Sequence, residues 1–343
     1  MNDIRKDKYN MIRVLTFAPA IVDGTSFYRL GGVLPYLEKE YSDIHIKDLS
    51  HKDKLDWHDY TSYDVAVFQR PFIKNHLATI NMLKLMGIKV IIDYDDDVLN
   101  VPMHNPYYIN YDANKETIID IAKLADHIWL STNGLKETFK EHNDKITVVP
   151  NAHNDYLFPV KGKRNFNKET NIVSYRGGST HEVDVYSHLD DWTGIINNNL
   201  DTEFYFLGAR FPYLESKCGD NYLIIPGAHI IDYFYNFKKL NPNIFIYSLE
   251  DNTFNRGKSN ISWIEATYAG AAVMAPKFLP EFIKPGITNF DDSFKDTFEK
   301  LKGDNKTLKV MNELSWDYIK TNLLLSHVNQ KRYNTIVELK NRK

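Results

Sequence analysis

Cysteine is almost absent from the chain: Cys218 is the only one in 343 residues. A lone thiol excludes an intrachain disulfide framework and any zinc site built on cysteine pairs, and it fits a reducing compartment. Long apolar runs are missing too, since none approaches the roughly 20 residues that span a bilayer. Neither sign of charge dominates: 45 Asp+Glu face 42 Lys+Arg, a formal charge of −3. With no basic tract, the footprint of a general nucleic-acid binder is lacking, although lysines and arginines can still cluster in three dimensions. There is no P-loop and no nucleophile elbow. The first ten residues are polar and charged, and no apolar stretch of signal-peptide length precedes Met11. The expectation is a soluble cytoplasmic protein in which residues 1–10 form a flexible extension.

What is present is enough for two cores. Hydrophobic residues make up 43% and aromatics 13%, which argues against disorder, and the length suits two domains of roughly 150 residues. Short β-branched runs alternate with helical patterns from end to end. Ile12–Phe17, Asp64–Gln69, Lys89–Asp93, His127–Ser131 and Ile146–Val149 read as strands, with helices from about Ser26, around Leu77–Leu85 and at Thr117–Leu124. Strands of this kind separated by helices predict a parallel sheet covered on both faces. The stretch Asn154–Thr170, with Pro159, Gly162 and the charged run Lys161–Lys168, reads as a linker. Beyond it the alternation restarts: Asn171–Tyr175, a helix at about Glu182–Ile196, then Glu203–Leu207, Tyr222–Ile225 and Asn243–Tyr247. A helix Asn260–Ala269 ending at Gly270, the strand Ala272–Ala275 and a mainly helical tail from about Phe290 complete the chain. The expected domains are 11–160 and 165–320.

In such sheets ligands sit at the C-terminal ends of the strands, so the residues that follow each strand are the candidates. Tyr175-Arg176-Gly177-Gly178-Ser179-Thr180-His181 places two glycines where a backbone can approach a ligand, with Arg176 able to neutralise a phosphate and a helix N-terminus to follow. The plainer alternative is a tight turn with Thr180 as helix cap. Phe254-Asn255-Arg256-Gly257-Lys258-Ser259-Asn260 precedes the helix that carries Glu265. Arg256, Lys258, a glycine and a helix start suit a diphosphate, and Glu265 suits ribose hydroxyls. A solvated cationic loop with a surface glutamate is the alternative.

Asp93-Tyr94-Asp95-Asp96-Asp97 packs four carboxylates into five residues, which is costly unless they are solvated, hydrogen-bonded or paired with a cation. A metal is one reading, although no downstream ligand spacing supports it. Capping combined with hydroxyl binding is the favoured one. Gly24-Thr25-Ser26-Phe27-Tyr28-Arg29 offers either a close backbone approach with Arg29 on an anion, or a plain helix start. His104 and His153 lie in loops and are either ligand-facing or structural. Cys218 has no partner base and reads as inert.

Taken together, these segments resemble a GT-B glycosyltransferase of the family 4-like kind, over Met11 to about Ala275. Phe254 to Val273 is similar to the family's donor-site signature. Val148-Val149-Pro150-Asn151-Ala152 resembles the end of its first domain, and Ala125–Thr132 resembles a strand within it. Asp93–Asp97 resembles its acidic strand end, and Gly24 to Arg29 its glycine loop. The resemblance implies two Rossmann-like domains facing across a cleft, with the nucleotide sugar (a UDP-sugar) on the second domain and no tightly bound cofactor or metal. It also implies transfer with retention of configuration.

The candidate donor-site residues are Gly24, Gly177, Gly178, Ser179, Asn255, Arg256, Ser259 and Glu265, the last placed on the donor ribose by the resemblance. Arg176, Lys258, Asp95 and His104 are the candidate catalytic set. The family's first signature glutamate falls on Gly257, so Asn255 and Lys258 become its candidate substitutes, and the proline usual after Gly270 is Ala271. The final helices, about 322–343 and near Trp316–Val337, are expected to return to the first domain. The acceptor is a glycan, or a hydroxymethylated DNA base as in enzymes that some phages encode, which would place the protein in the host cytoplasm. A non-catalytic nucleotide-sugar or nucleic-acid binding protein and a sugar-nucleotide epimerase are the rival readings.

Overall fold

The computed structural model describes residues 11–18, 24–49, 60–159 and 171–342. The extension 1–10 and most of the expected linker, 160–170, therefore lie outside the described residues. Two units result, one holding residues up to Met103, Tyr107–Pro159 and Leu323 onward, the other His104–Pro106 and the stretch that ends at Asn322.

The first unit runs β1 (Ile12–Phe17), α1 (Gly24–Arg29), α2 (Leu34–Glu40), β2 (Ile44–Asp48), β3 (Val65–Gln69), α3 (Lys74–Leu85) and β4 (Lys89–Tyr94). It continues with α4 (Tyr108–Asp112), α5 (Lys115–Leu124), β5 (His127–Leu130), α6 (Asn133–Phe139) and β6 (Ile146–Val148). All six strands are parallel, in the order β2-β1-β3-β4-β5-β6. Strand residues alternate between two cores, as the period of two requires. Leu15, Ala66, Phe68, Ile92 and Leu130 meet α3, α5 and α6 on one face. Val14, Val67, Ile91 and Trp129 meet α2 and the last helix on the other.

The second unit runs β7 (Asn171–Gly177), a 3-10 turn Ser179–His181, α7 (Glu182–Tyr186), α8 (Leu189–Asn198), β8 (Thr202–Gly208), α9 (Pro212–Glu215), β9 (Tyr222–Pro226), α10 (Ile230–Leu240) and β10 (Ile244–Ile246). After these come α11 (Thr253–Arg256), α12 (Ile261–Ala269), β11 (Ala272–Pro276), β12 (Ile287–Phe290), α13 (Lys295–Leu301) and α14 (Asn305–Asn322). Its sheet is also wholly parallel, in the order β12-β11-β10-β7-β8-β9. An aromatic core around Trp192, Phe204, Phe206, Phe294 and Phe298 fills one face. The closing helix α15 (Leu325–Asn341) packs Leu325, Val328, Ile336 and Leu339 into the first unit.

Several expectations need correction. The single helix Glu182–Ile196 is two helices. Ser187 Oγ takes the Asp184 carbonyl at 2.8 Å, and His188 leaves helical geometry to bring its Nε2 3.2 Å from the Leu249 carbonyl. Side-chain competition for backbone partners of this kind interrupts helices. Residues 154–159 are no linker: Asn154 donates to the Gly32 carbonyl at 2.8 Å and Tyr156 to Glu40 at 2.6 Å. Trp316 lies in α14, within the second unit, its ring 6.2 Å from that of Tyr268, and Asn312 of the same helix donates to the Ala271 carbonyl at 2.7 Å. The edge strands β2 and β12 and the helix α10 were not expected at all.

His153 is structural. It is buried, its Nε2 lies 2.7 Å from the Phe158 carbonyl, and its backbone bridges Leu323 and Leu325. Arg29 is no anion contact either. It is fully buried, pairing Nε and Nη2 with the two Asp93 oxygens at 2.8 Å each, while Nη1 donates to the Val149 carbonyl and Asn151 Oδ1. No helix among the described residues is long and apolar enough to cross a membrane.

Removing one partner of a buried ion pair strands the other charge and costs about 3–5 kcal/mol. Arg29→Met is expected to lower unfolding stability by about that amount in urea titration. The double variant Arg29→Met/Asp93→Asn should recover part of the loss, because no uncompensated carboxylate remains.

Candidate functional site

In an open parallel sheet the crevice opens where the strand order reverses. In the second unit that point falls between β7 and β10, so the ends of these two strands position the candidate site. Along β7, Tyr175 enters the aromatic core with Trp192 and Phe206. Arg176, one residue on, faces the opposite way, toward α10 and α12.

Eight of the nine residues of α12 are buried, because α10 and α14 cover the helix, and Gly270 ends it in the left-handed region at φ 118°. That burial carries Glu265 inside, where its side chain is only 2% exposed. A buried carboxylate needs hydrogen-bonded partners, preferably charged ones. Glu265 Oε2 accepts from Arg176 Nε at 2.8 Å and from the Tyr233 hydroxyl at 2.9 Å. Tyr233 also lies within reach of the Arg176 charge. Burial, then the Glu265 charge, pushes the Tyr233 phenol well above its usual range. Arg176 itself remains 25% exposed.

Lys258 follows α11. Its Nζ sits 4.3 Å from the centre of the Phe254 ring, a cation–π contact. Burial raises the Tyr247 phenol just past β10, and the positive charges of Lys258 and Arg176 both pull against that rise. The charges of both cations therefore reach the Tyr247 phenol.

The neighbouring candidates divide sharply. Gly177 leaves no space: a Cβ there would lie 2.9 Å from the Tyr175 hydroxyl. Gly208, at φ +108°, would put one 2.5 Å from the Gly177 carbonyl. Gly178 is open, its nearest neighbour being Thr180 Oγ1 at 4.0 Å. Ser179 opens a 3-10 turn, and Thr180 caps nothing.

Asn255 is buried, and its amide donates to Asp184 Oδ1 at 2.7 Å and to the Glu250 carbonyl at 2.9 Å. Arg256 is 57% exposed and forms a two-point pair with Asp251 at 2.7 Å, so it matches the solvated-loop alternative. Ser259 is buried at the start of α12. His104 groups with the second unit and lies 3.7 Å from Glu250. Cys218 is half-buried, and burial raises its thiol to about 11, which suits an unreactive role.

The first sheet reverses between β1 and β3. There the acidic run finds separate partners. Asp93 holds Arg29, while Asp95 and Asp96 take Arg70 Nε and Nη2 at 2.5 and 2.6 Å. Asp97 accepts from Asn100 and Thr138 at 2.9 and 3.0 Å. Burial raises the Asp95 carboxyl above its usual range against the pull of Arg70. Gly24 begins α1, is exposed, and has open space around it. Among the described residues no group of three or more His, Cys, Asp or Glu side chains is arranged to hold a metal. Arg70, Tyr233, Tyr247 and Asp184 were not picked out from the sequence. Arg70 was findable, since it directly follows a strand; the others carry no local signal.

No family model and no curated protein matches the chain. Solved structures do. Anabaena Alr3699/HepE in complex with UDP-glucose matches with a TM-score of 0.69 at 10% identity, over 96% of this chain and 100% of that one. An alpha-glucosyltransferase in complex with UDP-glucose and DNA containing an abasic site matches at 0.67 and 13%, over 95% and 99%. A Listeria monocytogenes protein that carries the name UDP-N-acetylglucosamine 2-epimerase matches at 0.58 and 13%, over 96% of each chain. At such identities the likeness shows the fold: two parallel six-stranded α/β sheets, as in GT-B glycosyltransferases.

The glycine geometry gives a direct comparison. Gly208→Ala is expected to lose about 1–3 kcal/mol of stability, because it adds left-handed strain to a clash with backbone. Gly178→Ala should unfold like the parent protein in the same denaturant series.

Proposed function

We propose that the chain is a GT-B glycosyltransferase that moves a sugar from a UDP-sugar to an acceptor hydroxyl, in the cytoplasm. Transfer retains the anomeric configuration and uses no bound metal. The observation that carries this reading is Arg176 at the end of β7, beside the strand-order reversal of the second sheet, held by Glu265 and a quarter exposed, with the Lys258 charge reaching the same Tyr247 phenol. A departing nucleoside diphosphate gains negative charge as the sugar bond breaks, and cations fixed in advance stabilise that charge more than they stabilise the bound donor. Arg176 and Lys258 fill that role. Gly178 and Ser179 line the approach to the phosphates, Ser259 stands at the start of α12, and residues 165–320 form the donor domain.

The acceptor belongs to the first unit, within residues 11–160. Asp95 and Asp96, held by Arg70, receive its hydroxyls. That acceptor is a glycan or a hydroxymethylated DNA base. The fold likeness to a glucosyltransferase solved with UDP-glucose and DNA is the reason to include DNA. A sugar-nucleotide epimerase is the second reading, favoured by the likeness to the Listeria protein.

One assay separates the readings: the chain is incubated with radiolabelled UDP-sugars, with and without glycan and hydroxymethylated DNA acceptors. Label on the acceptor supports transfer, a converted sugar supports the epimerase, and binding without turnover supports a binding module. Lys258→Ala is expected to slow turnover about 30- to 1000-fold, on the order of 2–4 kcal/mol of barrier, with a smaller effect on donor affinity. A rise in KM with kcat unchanged would make Lys258 a uniform binder. Turnover is expected to be unaltered in EDTA. Loss on chelation that Mn2+ or Mg2+ restores would move the reading to a metal-dependent transferase.

A further inference from the structure

His181 closes the turn that follows β7, and its Nδ1 lies 2.8 Å from Asp184 Oδ2. Asp184 is buried, and its other oxygen accepts from the Glu250 backbone N–H at 3.0 Å and from the Asn255 amide at 2.7 Å. The carboxylate is therefore fixed by the chain beyond β10. It holds the His181 ring beside the ends of β7 and β10, where the strand order reverses. A Cβ on Gly177 would lie 3.2 Å from His181 Cβ, so the glycine lets the histidine close onto the strand end.

A carboxylate has no proton to give, so Nδ1 carries it, and in the neutral ring Nε2 is left as an acceptor. Nε2 has no hydrogen-bond partner among the described residues and is not one of their buried atoms. The side chain is 14% exposed. The ionised phosphate oxygens of a nucleotide sugar offer no proton to such a nitrogen, whereas a hydroxyl does. The charges of Lys258, Arg176 and Asp184 all reach the Tyr247 phenol, so the pair stands with the two cations assigned to the departing diphosphate. The phosphate oxygen that gains charge there is the one the sugar leaves, and the ribose is one phosphate further away.

We propose that His181 is a specificity residue of the donor site: Asp184 holds its Nδ1–H, and its Nε2 accepts a hydrogen bond from a hydroxyl of the sugar to be transferred. The proposal rests on the UDP-sugar reading above and deepens it, since it names a side chain that reads the sugar rather than the diphosphate. Asn255 then acts through Asp184, as one of the groups that orient the carboxylate.

An asparagine amide reproduces the Nδ1–H of histidine and has nothing at the position of Nε2. His181→Asn therefore keeps the bond to Asp184 and removes the acceptor, which separates sugar recognition from a pairing that only pins the turn. UDP, UDP-glucose, UDP-galactose and UDP-N-acetylglucosamine are the probes, titrated calorimetrically into the full chain and its variants. His181→Asn is expected to change UDP affinity by less than about 2-fold and to weaken at least one UDP-sugar about 3- to 10-fold, the range of one neutral hydrogen bond. His181→Phe, which keeps a ring and loses both nitrogens, should show the same split and serves as the test if His181→Asn does not fold. In the unmutated chain, nitrogen NMR shifts are expected to place the His181 ring proton on Nδ1 at mildly alkaline pH.

Equal losses for UDP and the UDP-sugars would overturn the proposal in favour of a contact to phosphate or ribose. No loss with any of the three UDP-sugars would leave the pair as a pin for the turn and overturn it as well, as would a ring proton on Nε2. Failure of the unmutated chain to bind UDP or any UDP-sugar is a separate result: it removes the donor-site reading itself, and this proposal with it.

Discussion

A carboxylate taken out of water must find a cation or several donors, and each sheet of this protein is organised around one such requirement. Asp93, next to last in β4, has no exposure and is met by Arg29 from α1. Glu265 sits inside α12 and is met by Arg176 from β7. Because an unmatched buried charge costs several kcal/mol, each pair fixes elements that are distant in sequence. Arg29 joins α1 to β4 and to Val149 and Asn151 beyond β6. Arg176 joins β7 to α12 and, through Tyr233, to α10.

The same chemistry seals one arginine inside its unit and leaves the other partly exposed. Arg29 directs Nε and both Nη nitrogens inward and has no surface, so nothing can bind to it. Arg176 spends Nε on Glu265 and keeps a quarter of its side chain in solvent. Lys258, whose charge acts on the same Tyr247 phenol, adds the second cation. A guanidinium whose Nε is anchored on a buried carboxylate while part of the side chain meets solvent suits the electrostatic role proposed for it, because its orientation is set before charge develops.

The alternation of strands and helices was legible because the central strands are continuous apolar runs such as Val65-Ala66-Val67-Phe68. The two strands that were missed, β2 and β12, are both sheet edges. Edge strands bury one face at most, so Ile44-His45-Ile46-Lys47-Asp48 carries exposed polar residues and no continuous run. The site was half legible for a related reason. The position of Arg176 at a strand end and of Glu265 on the helix after the cationic loop can be read from the sequence, but their separation of 89 positions hides that they meet. Asn255 shows the opposite failure. It sits in the most suggestive segment of the chain, yet its amide ties Asp184 to the Glu250 backbone.

The acidic run at the end of β4 shows how a sequence motif can mislead when its partner lies elsewhere. Four carboxylates in five residues suggest mutual repulsion relieved by a metal or by solvent. Arg70, which ends a different strand, resolves most of that tension by holding Asp95 and Asp96 together. To do so it adopts φ +47°, the left-handed region that a non-glycine residue enters at a cost of about 1–3 kcal/mol. Two charge-assisted bonds at 2.5 and 2.6 Å offset that cost. The strain sits where the first sheet reverses its strand order, and with Arg70 20% exposed the arrangement presents both signs of charge at one strand end. Both signs of charge in one place suit the hydroxyl-bearing acceptor proposed above, since a hydroxyl donates to a carboxylate and accepts from a guanidinium.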